Sequence, residues 1–232
     1  MDELIRFDQQ LLLTLNGSES TYLDNIFLMV TKTGTWIPLL LVLLFILLKN
    51  RPWREVLLFV VSLALVILIA DRFSSGFCKP FFHRFRPSHE PALEGLVDLV
   101  NDRRGGLYGF ISSHAANTFA VCTFVALYLR RHLATLTLIL WACLSSYSRI
   151  YLGLHYPGDI LAGALFGIFT GIVVYYLMLW GACRWMQPLP PSCSVSPTIF
   201  GYNSNPEGIG LADARFFALT FIITLIVIII IA

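Results

Sequence analysis

The sequence predicts an all-α integral membrane protein, a six-helix bundle preceded by an N-terminal amphipathic helix at the membrane interface. Three observations carry that expectation. Of 232 residues, 57% are apolar, against about 45–50% in an average soluble protein. Charged residues make up 13%, roughly half the usual ~25%. The apolar residues also come in runs, and a spanning helix needs ~20 such residues in succession. An ordinary soluble domain is excluded. The formal charge of +2, from 16 basic and 14 acidic residues, leaves no footprint for a nucleic-acid partner. Five cysteines, at irregular spacing and without C-x-x-C, argue against a disulfide framework or a zinc site.

Asp2–Leu15 reads as an amphipathic helix lying on the membrane surface. It is not a signal peptide, because Leu11–Leu15 is too short and its flank carries acids. The first span joins Tyr22–Val30 to Trp36–Leu48, which is too short alone, with a break near Thr31–Gly34. The others are Val56–Ala70, Ser112–Leu129, Leu133–Leu152, Ile160–Cys183 and Phe216–Ala232. Residues 1–232 form one membrane domain without an internal repeat. Trp36, Trp53, Trp180 and Trp185 fall near span ends, as an aromatic belt requires. Gln187–Pro206, with five of the 11 prolines, reads as an irregular loop.

Alternation then sorts the connections. Residues 71–111 and 153–157 share a side with the N-terminus; residues 49–54, 130–132 and 184–213 lie on the other. The short loops of that second side carry Lys49, Arg51, Arg54, Arg130 and Arg131. The positive-inside rule makes it cytoplasmic.

Three polar clusters stand out, all on the first side. Lys79, Arg84 and Arg86-Pro87 lie in CKPFFHRFRP, and Ser112-Ser113-His114 opens the third span. Ser148-Arg149, His155 and Asp159 lie in SRIYLGLHYPGD. Each has a bland reading. Basic residues near span ends snorkel to headgroups, serine caps helices, and an acid after Pro157 is ordinary helix-opening chemistry. Together they are harder to dismiss, because ionisable groups next to spans are costly and usually functional. Several cations in one site repel one another unless an anion neutralises them. A phosphate fits, since arginine forks its oxygens and lysine adds a point charge. A serine-capped helix start adds N–H donors.

The remaining groups supply a reaction. Asp159 lies four positions after His155, so both can face the same way. A carboxylate on one ring nitrogen would set the tautomer and leave His155 as a nucleophile on phosphorus. His114, with no adjacent carboxylate, is free to act as general acid. No run of carboxylates suggests a metal cage, and the cations can supply the electrostatic stabilisation that magnesium gives elsewhere.

At these residues the chain resembles the type 2 phosphatidic acid phosphatase superfamily, whose signature is K-x₆-R-P, then P-S-G-H, then S-R-x₅-H-x₃-D. The first motif is complete at Lys79, Arg86 and Pro87, and the third at Ser148, Arg149, His155 and Asp159. The second departs: Ile111 and Ser113 stand where the family usually has proline and glycine, while Ser112 and His114 are kept. The Ser113 side chain would sit close to the phosphate, where it either donates a hydrogen bond or narrows the pocket. The resemblance spans roughly residues 71–163. It implies a catalytic set of His155, His114 and Asp159 and a phosphate held by Lys79, Arg86, Arg149, Ser112 and Ser113. It also implies a phosphohistidine intermediate and no metal or other cofactor.

Gly105, Gly106 and Gly109 would let the loop bend over the site, or are ordinary loop residues. Glu90, Glu94, Asp98 and Asp102 either shape headgroup selection or are solvated surface. The leading expectation is a phosphatase acting on a membrane lipid phosphate or diphosphate, facing the periplasm or exterior of a bacterial inner membrane. Compact size and the lack of an extra domain point to such an envelope enzyme. Candidate substrates are phosphatidylglycerophosphate, phosphatidic acid, undecaprenyl diphosphate and lipid A phosphates. The alternatives are a phosphotransferase using the same intermediate, and a non-catalytic protein that grips a phospholipid headgroup. Oligomeric state is not legible.

Overall fold

The computed structural model describes residues 2–185 and 209–232. Its described residues form helices and turns, with a single isolated bridge, Phe85 to Tyr108, in place of any sheet. Five helical stretches are long and apolar enough to cross a membrane: Thr33–Asn50, Trp53–Phe82, His132–Tyr151, Pro157–Arg184 and Leu211–Ile231. The chain is a multi-pass integral membrane protein. Two shorter apolar helices, Thr21–Val30 and Ser113–Leu129, fall below that length. The expected loop over Gln187–Pro206 and the side chain of Trp185 lie outside the described residues.

Helix α1 (Asp2–Leu15) buries Leu12 completely and packs Leu15 beside it, against Leu93, Ile150 and Tyr156, while Leu4 and Phe7 stay exposed. Just beyond it, Asn16 donates to the carbonyls of Asp98 and Tyr151 and accepts from the Asp98 amide. The N-terminal helix is therefore tied to the site-side loops of the protein.

Helices α2 (Thr21–Val30) and α3 (Ile37–Asn50) are separated by a 3₁₀ turn at Thr33–Trp36, at the expected break. A break frees carbonyls that need new donors. Trp36 Nε1 donates to the Val30 carbonyl at 2.9 Å and Thr35 Oγ1 to that of Met29 at 2.7 Å. Two expectations change here. With the turn included, Thr33–Asn50 reaches spanning length without α2. Trp36, 6% exposed, is core and not belt, because its indole closes the break, whereas Trp53 and Trp180 are exposed.

Helix α4 (Trp53–Asp71) does not end at Ala70 as the polar run after it predicts. It continues through a π-helical turn, Arg72–Cys78, into α5 (Lys79–Phe82). Two devices carry it through. Ser74 Oγ bonds back to the Ala70 carbonyl at 2.7 Å, so its hydroxyl needs no water. Phe73, Phe77 and Phe81, at helical spacing, stack with centroids 5.4 Å apart. π-turns inside helices concentrate at functional sites, and this one carries Lys79 on a helix and not on a loop.

Helix α6 (Ser113–Leu129) packs most closely on α8 (Pro157–Trp185). The reason is a stripe of small residues. A Cβ on Gly163 would stand 2.6 Å from the Ser112 carbonyl oxygen, and one on Gly171 2.7 Å from that of Ala120. Small residues let membrane helices approach to backbone contact. Helix α7 (His132–Tyr151) leads into the turn before α8, and α9 (Leu211–Ile231) packs on α3 and α7. At the bundle end away from the polar clusters, Lys49 pairs with Asp213 at 2.7 Å and the Tyr128 hydroxyl donates to Glu55 at 2.7 Å. Cys183 is disulfide-bonded, while Cys78, Cys122 and Cys143 are free.

Candidate active site

The polar clusters meet at one end of the bundle, where α5 ends, α6 and α8 begin and α7 closes. A short strap brings in the first cluster. The Arg86 amide donates to the Leu107 carbonyl at 3.0 Å, and the Gly109 amide to the Arg84 carbonyl at 2.9 Å. The backbone at Gly109 runs so close to the site that a Cβ there would lie 3.1 Å from Asp159 Oδ2. A side chain at Gly109 would press on Asp159 and Arg86, so this glycine packs against the site itself.

His155 is 2% exposed, in the turn between α7 and α8. Its Nε2 lies 3.2 Å from Arg86 Nη1, and its Nδ1 lies 3.4 Å from Asp159 Oδ2. A guanidinium can only donate, so Nε2 must present its lone pair and Nδ1 must carry the proton toward Asp159. Burial, then Arg86, Arg149, Lys79 and Arg84, hold the imidazole pKa well below its ordinary value. His155 is neutral at neutral pH, with its Nε2 lone pair turned to Arg86.

Asp159 is fully buried. Its Oδ2 also accepts the Tyr156 amide at 3.2 Å, and its Oδ1 takes Arg84 Nη1 at 2.7 Å. The Asp159 carbonyl accepts the Ser112 amide at 3.1 Å, which locks the second motif to the third. Ser112 Oγ caps α6 by accepting the Ala115 amide. Its side chain and amide are both occupied, whereas Ser113 Oγ lies 2.8 Å from Lys79 Nζ and 2.8 Å from Ser75 Oγ. His114 Nε2 lies 2.8 Å from Ser145 Oγ.

Arg149 Nη1 donates to Thr31 Oγ1 at 2.8 Å, while its buried Nε has no partner among the described residues. An unmatched buried donor is costly, and an anion would satisfy it. Arg84 pairs with both Asp8 and Asp159 at 2.7 Å. Burial opposes its charge, but Asp159 and Asp8 outweigh that and raise its pKa. Lys79, Arg86 and Arg149 form no ion pair among the described residues. Three cations without a direct ion pair therefore stand around one neutral imidazole. No group of three or more His, Cys, Asp and Glu side chains lies together among the described residues.

Below His114, a cavity of about 340 Å³ runs between the helices, lined by Leu40, Leu63, Ile67, Val121 and Trp141 with Asn117. It gives an apolar approach to the polar end from within the bundle.

Five residues of this network, Arg84, Ser145, Ser75, Thr31 and Asp8, have no role assigned from the sequence. Arg84 read as a snorkelling charge, although its place two residues before Arg86 was a usable signal. Ser145, one helical turn before Arg149, was another. Thr31 and Asp8 lie far away in the chain, and nothing local marks either.

Fold and site together define a membrane-embedded enzyme with a phosphate-type centre at one end of a helical bundle. The sequence profile of the PAP2 superfamily matches residues 55–182, which include all three motifs. The chain belongs to the PAP2 superfamily, and it is a lipid phosphatase. A lipid A 4'-phosphatase of Bacteroides thetaiotaomicron is 43% identical over 171 residues, 73% of this chain and 76% of that protein. A second, from Porphyromonas gingivalis, is 38% identical over 198 residues, 85% and 83% of the two. Among solved structures, LpxE of Aquifex aeolicus is 26% identical with a TM-score of 0.52, covering 72% of this chain and 93% of that one. The transmembrane PAP2-type phosphatidylglycerolphosphate phosphatase of Bacillus subtilis shares the fold at 18% identity. Its TM-score is 0.58, over 80% of this chain and 90% of that one.

Proposed function

We propose that this enzyme removes a phosphate from lipid A, with the 4' position as its target, through a phosphohistidine intermediate. The observation that carries the substrate is the 43% and 38% identity to two lipid A 4'-phosphatases across most of both chains. The geometry supports the following mechanism. Lys79, Arg86 and Arg149 bind the phosphate oxygens, and Ser113 positions the Lys79 ammonium. The phosphate displaces Arg86 from the His155 lone pair, and Nε2 attacks phosphorus as the bond to the lipid oxygen breaks. His114 protonates that leaving oxygen. It then takes a proton from the water that cleaves the phosphohistidine, releasing inorganic phosphate. Asp159 holds the Nδ1 proton throughout and stabilises the charge that His155 gains.

The same reading gives one membrane domain with six spans. The 17 residues of α6 extend about 25 Å, within reach of a bilayer core of ~30 Å when the helix is wholly enclosed by others. Helix α1 lies at the interface on the site side, which faces the periplasm. The basic far end at Lys49, Arg51, Arg54, Arg130 and Arg131 faces the cytoplasm.

The test is purified protein in detergent with lipid A, followed by phosphate release and mass spectrometry of the lipid, with metal chelated. The expected result is loss of one phosphate from the lipid, abolished by His155→Ala. Transfer of the phosphate to an acceptor lipid instead of water would replace hydrolysis with phosphotransfer, and turnover by His155→Ala would sink the intermediate.

A further inference from the structure

We propose that Asp8, on the N-terminal helix, is a positioning residue for the phosphate site: through Arg84 it keeps the Asp159 carboxylate aimed at His155. The proposal rests on the phosphatase reading above and adds to it a residue outside the matched family region, residues 55–182.

Both oxygens of Asp8 are engaged. Oδ2 takes Arg84 Nη2 at 2.7 Å, and Oδ1 accepts the Gly158 amide at 2.8 Å, in the first turn of α8. The other nitrogen of the same guanidinium, Nη1, holds Asp159 Oδ1 at 2.7 Å. The guanidinium carbon lies 4.1 Å from the centre of the Tyr156 ring, which limits where the fork can go. Asp8 thus grips Arg84 and the start of the helix that carries Asp159, from a helix about 150 residues away in the chain. Gly158 is matched to this approach, since a Cβ there would stand 2.7 Å from Asp8 Oδ2.

Without the Asp8 charge, Arg84 has one carboxylate in place of two. It then draws Asp159 toward itself and away from His155 Nδ1, which loosens the orientation of the nucleophile. Misplacement of a reacting group by about 1 Å can cost on the order of 10²-fold in rate.

The test compares wild type, Asp8→Asn, Arg84→Ala and the double variant. All are full-length protein in detergent, on whichever of lipid A, phosphatidylglycerophosphate and phosphatidic acid the wild type hydrolyses fastest. The choice of lipid tests the proposed substrate separately from Asp8. Asp8→Asn is expected to lower kcat at least about tenfold with KM changed by less than about threefold. On the Arg84→Ala background it should change kcat less than about twofold, because the two residues act in series.

The pH profile separates positioning from mere stability. Charged or titratable groups face His155 from every side: Lys79 on α5, Arg84 and Arg86 on the strap, His114 on α6, Arg149 on α7 and Asp159 on α8. Neutral His155 is the attacking form, so kcat falls as pH drops through its pKa. Arg84 lowers that pKa, and removing its Asp8 counter-charge lowers it further, moving the acid limb of kcat to lower pH. Unchanged kcat, an unmoved acid limb, or full additivity with Arg84→Ala overturns the proposal. If Asp8→Asn does not fold, Gly158→Ala replaces it, because the added methyl displaces the Asp8 carboxylate. It should give the same lowered kcat and shifted limb, and wild-type kinetics there overturns the proposal equally.

Discussion

At the scale of single residues, the proposed mechanism separates groups that react from groups that hold them. His155 has its Nε2 lone pair beside Arg86, in the field of Lys79 and Arg149, while its other nitrogen is tied to a buried carboxylate. His155→Ala is expected to lower kcat by at least about 10³-fold, read by phosphate release. The depressed pKa of His155 has a second consequence. An imidazole whose folded pKa lies below its unfolded value of 6.5 binds its proton mainly after unfolding. Its contribution to stability is therefore present above about pH 6.5 and is lost as pH falls below that value. Tm in detergent should drop on acidification below that pH, and less steeply in His155→Gln. Ser113 gives a third prediction at this scale. Its hydroxyl steadies the Lys79 ammonium, so Ser113→Gly removes one hydrogen bond to a charged group, about 1.5 kcal/mol. That is roughly a tenfold rise in KM, with kcat little changed. Of these features, the motif residues were legible in the sequence because their spacing is local. The pairing of Ser113 with Lys79, 34 residues apart, was not.

At the scale of elements, the α6–α8 contact links packing to the geometry of the site. The glycine stripe lets the two backbones meet, and the Ser112 amide reaches the Asp159 carbonyl across the same contact. Forcing a methyl group into a packed interface costs typically 1–3 kcal/mol. Gly163→Ala and Gly171→Ala should therefore lower Tm by similar amounts. Gly163→Ala should also lose at least about tenfold in kcat, since its Cβ would strike the Ser112 carbonyl oxygen. Similar kcat for the two variants would disprove that link. The element that sequence misjudged most was α4. Asp71, Arg72, Ser74 and Ser75 looked like a helix end because hydropathy falls there. The helix continues since Ser74 satisfies its hydroxyl internally and three phenylalanines extend the apolar face through the polar run.

At the scale of the whole molecule, the polar clusters occupy one end of the bundle and the short basic loops the other. Cysteine labelling tests the orientation. Leu96→Cys, in the exposed site-side loop, should react with an impermeant maleimide in right-side-out spheroplasts. Lys49→Cys should react only after permeabilisation, and the reverse pattern would invert the topology.

The sequence by itself determined the solvent, the helical class and the three motifs, because hydropathy and short spacings are properties of contiguous residues. Only the tertiary structure decided how the charges are matched. Arg84 read as a headgroup charge until Asp8 and Asp159 appeared on either side of it, 76 and 75 residues away. Whether a cation is compensated or left free to take a phosphate depends on what the fold brings within about 3 Å, and no local pattern records that.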